Sequence, residues 1–226
     1  MKMNKILTAT AFVAAVALST NAYAATPYVE GQIGYANPSK FDTNTYSGTE
    51  DGLTWTNAKL SANYDSSASF GAEFGFKDVA PNIRLGASFT TMKFDFENTT
   101  LSGSITDGVD TLSGSATFSA ADFASVGVNL DTRVNIYMAN AYYDFKNDSK
   151  FTPFVGFGVG VADIKIAEDK AFAYSVNAGA QYSIDKNIYV SAKAAYTNID
   201  GPKGDIGIEF KNIDLYTVNV ALGFEF

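Results

Sequence analysis

The 226-residue chain has no cysteine, no histidine and a single tryptophan. Without cysteine it has no disulfides, so an exported chain of this kind has to draw its stability from closure or from a large core. Without histidine there is no Ser–His nucleophile pair, no His–Asp protease site and no His-ligated metal. Loop carboxylates such as Asp107, Asp110 and Glu168 read as solvation and negative surface rather than acid–base machinery. Positive charge is also scarce: 16 Lys and Arg against 24 Asp and Glu give a net charge of -8, which argues against nucleic acid as a partner. After the first 24 residues no run approaches 18 consecutive apolar residues, so nothing is expected to cross a membrane as a helix. "GFGVGVA" is glycine-rich but lies inside a strand pattern and opens no helix, so it is not a phosphate-binding loop. No catalytic residue, cofactor or metal is expected.

What is present starts with a leader. Residues 1–24, "MKMNKILTATAFVAAVALSTNAYA", carry Lys2 and Lys5, an apolar stretch from Ile6 to Leu18 and a terminal Ala-Tyr-Ala. This is the form of a cleavable signal peptide, and the stretch is short of the roughly 20 residues that a membrane helix needs. Residues 25–226 are expected to form one domain.

That domain reads with a period of two in eight segments, near 28–36, 69–77, 83–94, 133–145, 153–165, 171–184, 188–197 and 213–226. Short connections ("DVAPN", "KNDSKFT", "DKN") alternate with mostly longer ones rich in Gly, Ser, Thr, Asn and Asp. This is the pattern of an all-β, eight-stranded antiparallel up-and-down transmembrane barrel. Ten strands remain the alternative if residues 112–130 enter the wall. A soluble barrel would face its apolar side inward; here the polar side is too small and too rarely charged to meet water, as in Gly156, Gly158, Gly160 and Ala173, Ser175, Asn177, Gly179. It suits a narrow lumen instead. On the apolar side aromatics gather at two levels, with Tyr216 and Phe224 eight residues apart, about 20 Å in height on a tilted strand.

Charges expected to point inward are Glu30, Glu73, Lys77, Arg84, Asp144, Lys193 and Glu225. Glu73 and Arg84 would be diagonal neighbours if Gly75 lies opposite Arg84, and eight strands leave a lumen that side chains can fill. The final run, "YTVNVALGFEF", is expected to pair with the first strand so that no backbone group is left unsatisfied in lipid.

The loops hold the remaining candidates. Residues 37–67 contain Tyr46, Trp55 and Tyr64, possible aromatic anchors for a partner; Trp55 could equally pack under its own loop or extend the second strand. Residues 97–132 contain "TLSGSI" and "TLSGSA" around Asp107-Gly108, a tight-turn signal that would fold the copies into a ribbon with open edges. A solvated, flexible loop is the competing reading.

"MANAYYDFKNDSKFTPFVGFGVGVAD" (residues 138–163), "YVEGQIGY" near the start and "ALGFEF" at the end resemble small outer-membrane barrels of the OmpA-like and opacity-protein superfamily, which includes bacterial surface antigens. Phe154 stands where a tyrosine is usual, and Phe157 precedes Gly158. The resemblance covers the strands and no loop, and no periplasmic peptidoglycan-binding domain is expected after the barrel. It implies outer-membrane lipid as surroundings, and a C-terminal signature, Phe224 and Phe226, of the sort read by the barrel-insertion machinery. It further implies adhesion or surface recognition of a host or cell-surface ligand, with an envelope role. A passive pore is the alternative and a lipid-modifying enzyme the third reading.

Overall fold

The computed structural model describes residues 25–165, 167, 170–201 and 209–226. Residues 1–24, where a leader is expected, and Glu168 lie outside the described residues.

Strict alternation, with proline confined to the ends of strands (Pro27, Pro38 and Pro153), lets long strands run side by side, and eight of them close. These are β1 (Thr26–Pro38), β5 (Ser67–Ala80), β6 (Ile83–Phe94), β9 (Thr132–Asp144), β10 (Phe151–Ile164), β11 (Ala171–Ser183), β12 (Ile188–Ile199) and β13 (Ile213–Glu225). The order around the barrel is β1-β13-β12-β11-β10-β9-β6-β5, every pair antiparallel. Closure comes from β1, which pairs with β13 on one side (Ile33 opposite Val220) and β5 on the other (Ile33 opposite Phe70). The wall therefore has no free edge, as a strand in hydrocarbon requires. Residues 112–130 do not enter it: they lie in β8 (Thr111–Ser119), α1 (Ala120–Ser125) and the segment leading to β9. The ten-strand alternative is thereby overturned.

Side-chain polarity is inverted relative to a water-soluble barrel. On β13 Val218, Val220 and Leu222 are 61%, 57% and 61% exposed, whereas Asn219 and Ala221 between them are buried. Tyr35, Phe70, Phe89 and Tyr216 form an outward-facing belt at one level, and Tyr143, Phe145, Tyr182 and Phe224 another, the two interfacial girdles of a membrane barrel.

The interior departs from the expectation of small residues alone. Its periplasmic half holds Tyr28, Tyr142, Tyr189, Phe154 and Arg84, all buried. Glycines make the room: Gly156 is the cross-strand partner of Tyr142 and Gly223 that of Tyr189, and a Cβ at either would overlap the tyrosine ring. The extracellular half is an apolar core that includes Phe41, Met92, Phe94, Val134, Ile136, Ile164, Ile213 and Leu215. The small-residue reading came from β5, β10 and β11, whereas the large inward side chains come mostly from β1, β6, β9, β12 and the upper end of β13.

The two long connections are not loose loops. Residues 37–67 build β2 (Phe41–Asp42), β3 (Tyr46–Glu50) and β4 (Leu53–Tyr64), and residues 97–132 contribute most of β7 (Phe96–Thr106) and all of β8. These five strands form a second sheet, ordered β2-β4-β7-β8 with β3 also on β4. The expected ribbon exists as β7 and β8, because a motif with Ser on both sides of a central Gly matches itself when reversed: Gly103 faces Gly114, Ser102 faces Ser115 and Ser104 faces Ser113. Beyond the ribbon, α1 starts with a capping box in which Ser119 and Asp122 bond each other's backbone N–H, so β8 does not run straight into β9.

Candidate functional site

Two regions concentrate polar or exposed groups beyond what the wall needs. One is the lumen. Glu73, on β5, accepts hydrogen bonds from the Tyr28 hydroxyl at 2.6 Å, the Tyr142 hydroxyl at 2.7 Å and Asn140 Nδ2 at 3.0 Å. Lys193 Nζ stands 3.6 Å from it and Arg84 Nη1 3.8 Å. The stronger partner of Arg84 is Asp144, reached from Nη2 at 3.1 Å and from Nε at 3.2 Å, while the guanidinium lies 4.0 Å from the Tyr142 ring centroid. Register is where the sequence reading errs: Gly75 lies opposite Gly86, not Arg84, and Glu73 opposite Ser88. Arg84 meets Glu73 through the length of its side chain. Lys77 donates to Gln181 Oε1 at 2.8 Å, pairs with Glu225 and sits 3.8 Å from the Tyr189 ring centroid.

These groups fill the cross-section. Midway along the lumen, Ser88, Met138, Asn140, Asn177, Lys193 and Asn219 line a void of about 50 Å³, room for a very few waters. Charged groups packed against rings and satisfied by one another suit a rigid plug better than a path for solute.

The second region is the extracellular sheet. Its two faces differ in kind because β4, β7 and β8 alternate. One face carries Thr56, Ser104 and Ser113 in a row across the three strands, and Ser61, Thr100 and Thr117 in another; Ser104–Ser113 and Thr100–Thr117 are hydroxyl pairs at 2.8 and 2.9 Å. The opposite face carries Trp55, Ile105 and Leu112 in one row and Leu60, Leu101 and Ala116 in another. Near the barrel this apolar face merges with the interior core through Leu60, Ala62 and Phe123. Further out it is open, Leu101 being 49% and Leu112 74% exposed, and nearer the barrel Phe118, at the β8 edge, is still 44% exposed. The outer edge of β8 has no strand partner among the described residues.

The aromatic candidates take different places. Tyr46 is exposed, and its hydroxyl accepts a 2.6 Å bond from the Glu209 N–H, tying β3 to the last loop. Trp55 is half-buried with its ring against Gly48, both packed under its own loop and part of a strand. Tyr64 turns inward, 4.7 Å from Phe41 and 5.7 Å from Phe96 between ring centroids; burial, then nearby Asp131, pushes its hydroxyl pKa up to about 12. Asp107 accepts from the N–H groups of Val109 (2.9 Å) and Asp110 (2.8 Å) in its own turn. Those bonds, Asp110's the larger, hold its carboxyl below the usual range. Leu101, Ile105, Leu112 and Phe118 are not among the residues the sequence singles out, although the alternation inside "TLSGSI" and "TLSGSA" puts the leucines on one face.

Phe224 and Phe226 both point outward at the periplasmic end, ring centroids 5.0 Å apart, and the Phe226 N–H bonds Pro27 O at 3.0 Å.

Among solved structures, the chain is similar to Neisserial surface protein A (15% identity, 88% of this chain and 97% of that one, TM-score 0.56). It is similar also to the outer membrane protein OprG of Pseudomonas aeruginosa (15% identity, 90% and 97%, TM-score 0.51). At this identity they bear on the fold alone. In sequence, it is 30% identical over 105 residues to outer membrane protein PagN of Salmonella typhimurium, a match spanning 39% of this chain and 44% of that protein. It is 26% identical over 117 residues to protein opa of Haemophilus influenzae, across 47% and 92%. The model of the outer membrane protein beta-barrel domain matches residues 8–226. A closed eight-stranded wall with an apolar exterior and that match lead to one statement: the chain belongs to the outer membrane protein beta-barrel domain family, and its place is the bacterial outer membrane.

Proposed function

We propose that this protein is a surface-recognition protein of the adhesin type, which binds an extended polypeptide segment of a host or cell-surface partner along β8. The observation that carries this is the pairing of an open backbone edge with an exposed apolar row, Leu112 and Phe118, on the same strand. A segment added to that edge gains main-chain hydrogen bonds, and its alternate side chains fall on the apolar face. Contiguous apolar surface held in water by a structured sheet marks an interaction site. The tight lumen supports a non-conducting envelope protein over a pore, and the missing histidine speaks against the hydrolytic chemistries named above. The outward Phe224 and Phe226 support recognition of the last strand by the insertion machinery.

The test is Leu112→Asp with Phe118→Asp, displayed on cells and scored for attachment to host cells and to immobilised surface proteins. Retained heat-dependent gel mobility would show the barrel intact. Adhesion should fall roughly tenfold or more, two buried anchors each contributing at the scale of an interface hot spot. Unchanged adhesion, or equal loss in a control carrying Thr100→Asp on the hydroxyl face, would overturn the reading.

A further inference from the structure

The outward face of β6, β9 and β10 climbs in ordered rows. Ala87 pairs with Ala139 at mid-wall; above them Phe89 pairs with Tyr137, ring centroids 5.1 Å apart. The next row is polar, Thr91 bonding Asn135 at 2.8 Å with Asp163 beside them. Above it Lys93 lies directly opposite Arg133, and the Lys165 N–H bonds the Arg133 carbonyl from the other side. Three cations thus stand abreast on adjacent strands, and Lys170 adds a fourth, its ammonium 5.5 Å from the Tyr137 ring centroid.

Like charges abreast across strands cost stability unless something neutralises them. Lys93 is neutralised, by Asp95 and Asp131 at 2.9 Å each. The Arg133 and Lys165 side chains are exposed and have no ion pair among the described residues. They flank a cleft of about 640 Å³ bounded also by Asn129, Asp131 and Asp163. The sector is singular in an acidic chain: outward positions of β1, β5, β11, β12 and β13 carry no Lys or Arg. On the far side Asp214 is satisfied by Tyr196 at 2.6 Å and Asn198 at 2.7 Å.

Depth identifies what meets these cations. Lys93 is four residues above Phe89, as Arg133 is above Tyr137, about 13 Å along the strand and roughly 10 Å in height after tilt. If the aromatic row marks the edge of hydrocarbon, that height is the headgroup layer. We infer that this sector of the wall is a binding site for phosphate groups on outer-leaflet lipid headgroups, with Arg133 and Lys165 as the contacts. Arg133 offers a planar fork matched to phosphate oxygens, and Lys165 a point charge beside it. Asp95 and Asp131 hold Lys93 to the side, and Asp163 lies one row lower, so the phosphate approaches from above. The site would fix the barrel's rotational setting and draw a phosphorylated lipid to one flank.

The folded protein in zwitterionic detergent is titrated with a diphosphorylated glucosamine-disaccharide lipid and with the same lipid dephosphorylated, counting bound lipid by native mass spectrometry. The intact protein should prefer the phosphorylated form. Arg133→Gln with Lys165→Gln should bind it roughly 10- to 30-fold more weakly, while Lys146→Gln, at the periplasmic rim against Asp78, should bind normally. Both substitutions are on the exposed face, and unchanged heat-dependent gel mobility verifies folding; Arg133→Ala with Lys165→Ala is the alternate pair should the first misfold. Equal binding of the two lipids, no loss in either double variant, or an equal loss in Lys146→Gln would overturn the inference. So would displacement of the lipid by equimolar inorganic phosphate or by a sulfated polysaccharide, which would make the patch a general anion or glycan site.

Discussion

Replacing Arg84 with alanine tests whether the lumen is a plug. The side chain is 1% exposed and holds the Asp144 carboxylate with three N–H contacts between 3.1 and 3.3 Å. It also stands 3.8 Å from Glu73 and is stacked on Tyr142. Truncation leaves Asp144, 3% exposed, with a buried charge and no cation in contact among the described residues, while Glu73 keeps Lys193 at 3.6 Å. Breaking a buried pair on one side costs about 3–5 kcal/mol, and the lost stacking adds about 1 kcal/mol. Urea unfolding in lipid vesicles, followed by tryptophan fluorescence and gel mobility, should therefore show a loss of about 4–6 kcal/mol. Arg84→Met with Asp144→Leu removes both charges and should recover most of it, to within about 1–2 kcal/mol of the parent. A loss below about 1 kcal/mol for Arg84→Ala would mean that water screens these groups, and the plug would have to be abandoned for a hydrated lumen.

Planar-bilayer recordings of the intact protein should show no stable, large single-channel steps, since the mid-lumen void is only about 50 Å³. Gly156→Ala should destabilise the barrel by about 1–3 kcal/mol, the cost of overpacking, because the new methyl overlaps the Tyr142 ring; unchanged urea midpoints would show that the ring can move. Val220→Arg, midway between Tyr216 and Phe224 on the outer face, should cost about 2–4 kcal/mol in vesicles. In a short-chain detergent, which deforms around the charge, the cost should be smaller. Asp107 has a depressed carboxyl pKa, so its contribution to the 107–110 turn is complete above the unfolded-state value and fades as pH falls through the folded one. Amide exchange at Val109 and Asp110 should speed up on acidification below the usual aspartate range beyond the normal pH trend, and Asp107→Asn should remove that excess.

Strand positions were legible because each is a local matter: Val218, Val220 and Leu222 alternate with Asn219 and Ala221 whatever lies next to them. All eight barrel strands fall where the period of two places them, to within a few residues at the ends. The Glu73–Arg84 register was not legible, since a pairing depends on where the turn closes and on the irregularity between Phe76 and Ala80, which shifts every later pair. The extracellular sheet was half legible. "TLSGSI" and "TLSGSA" can pair with each other and say so, but β4 docks on β7 across a long separation, with slips near Thr56 and Asn63.

The chain's own pattern of side chains therefore settles its class, its compartment and the direction its faces look, because lipid and lumen act on every strand separately and leave a mark every second residue. Only three-dimensional packing brings Glu73, Arg84, Asp144 and Lys193 into one network, turns Tyr64 inward while leaving Leu112 in water, and lines up Lys93, Arg133 and Lys165. Those groupings depend on which strands become neighbours and in what register, a free-energy choice made by closure of the whole barrel and written in no single segment.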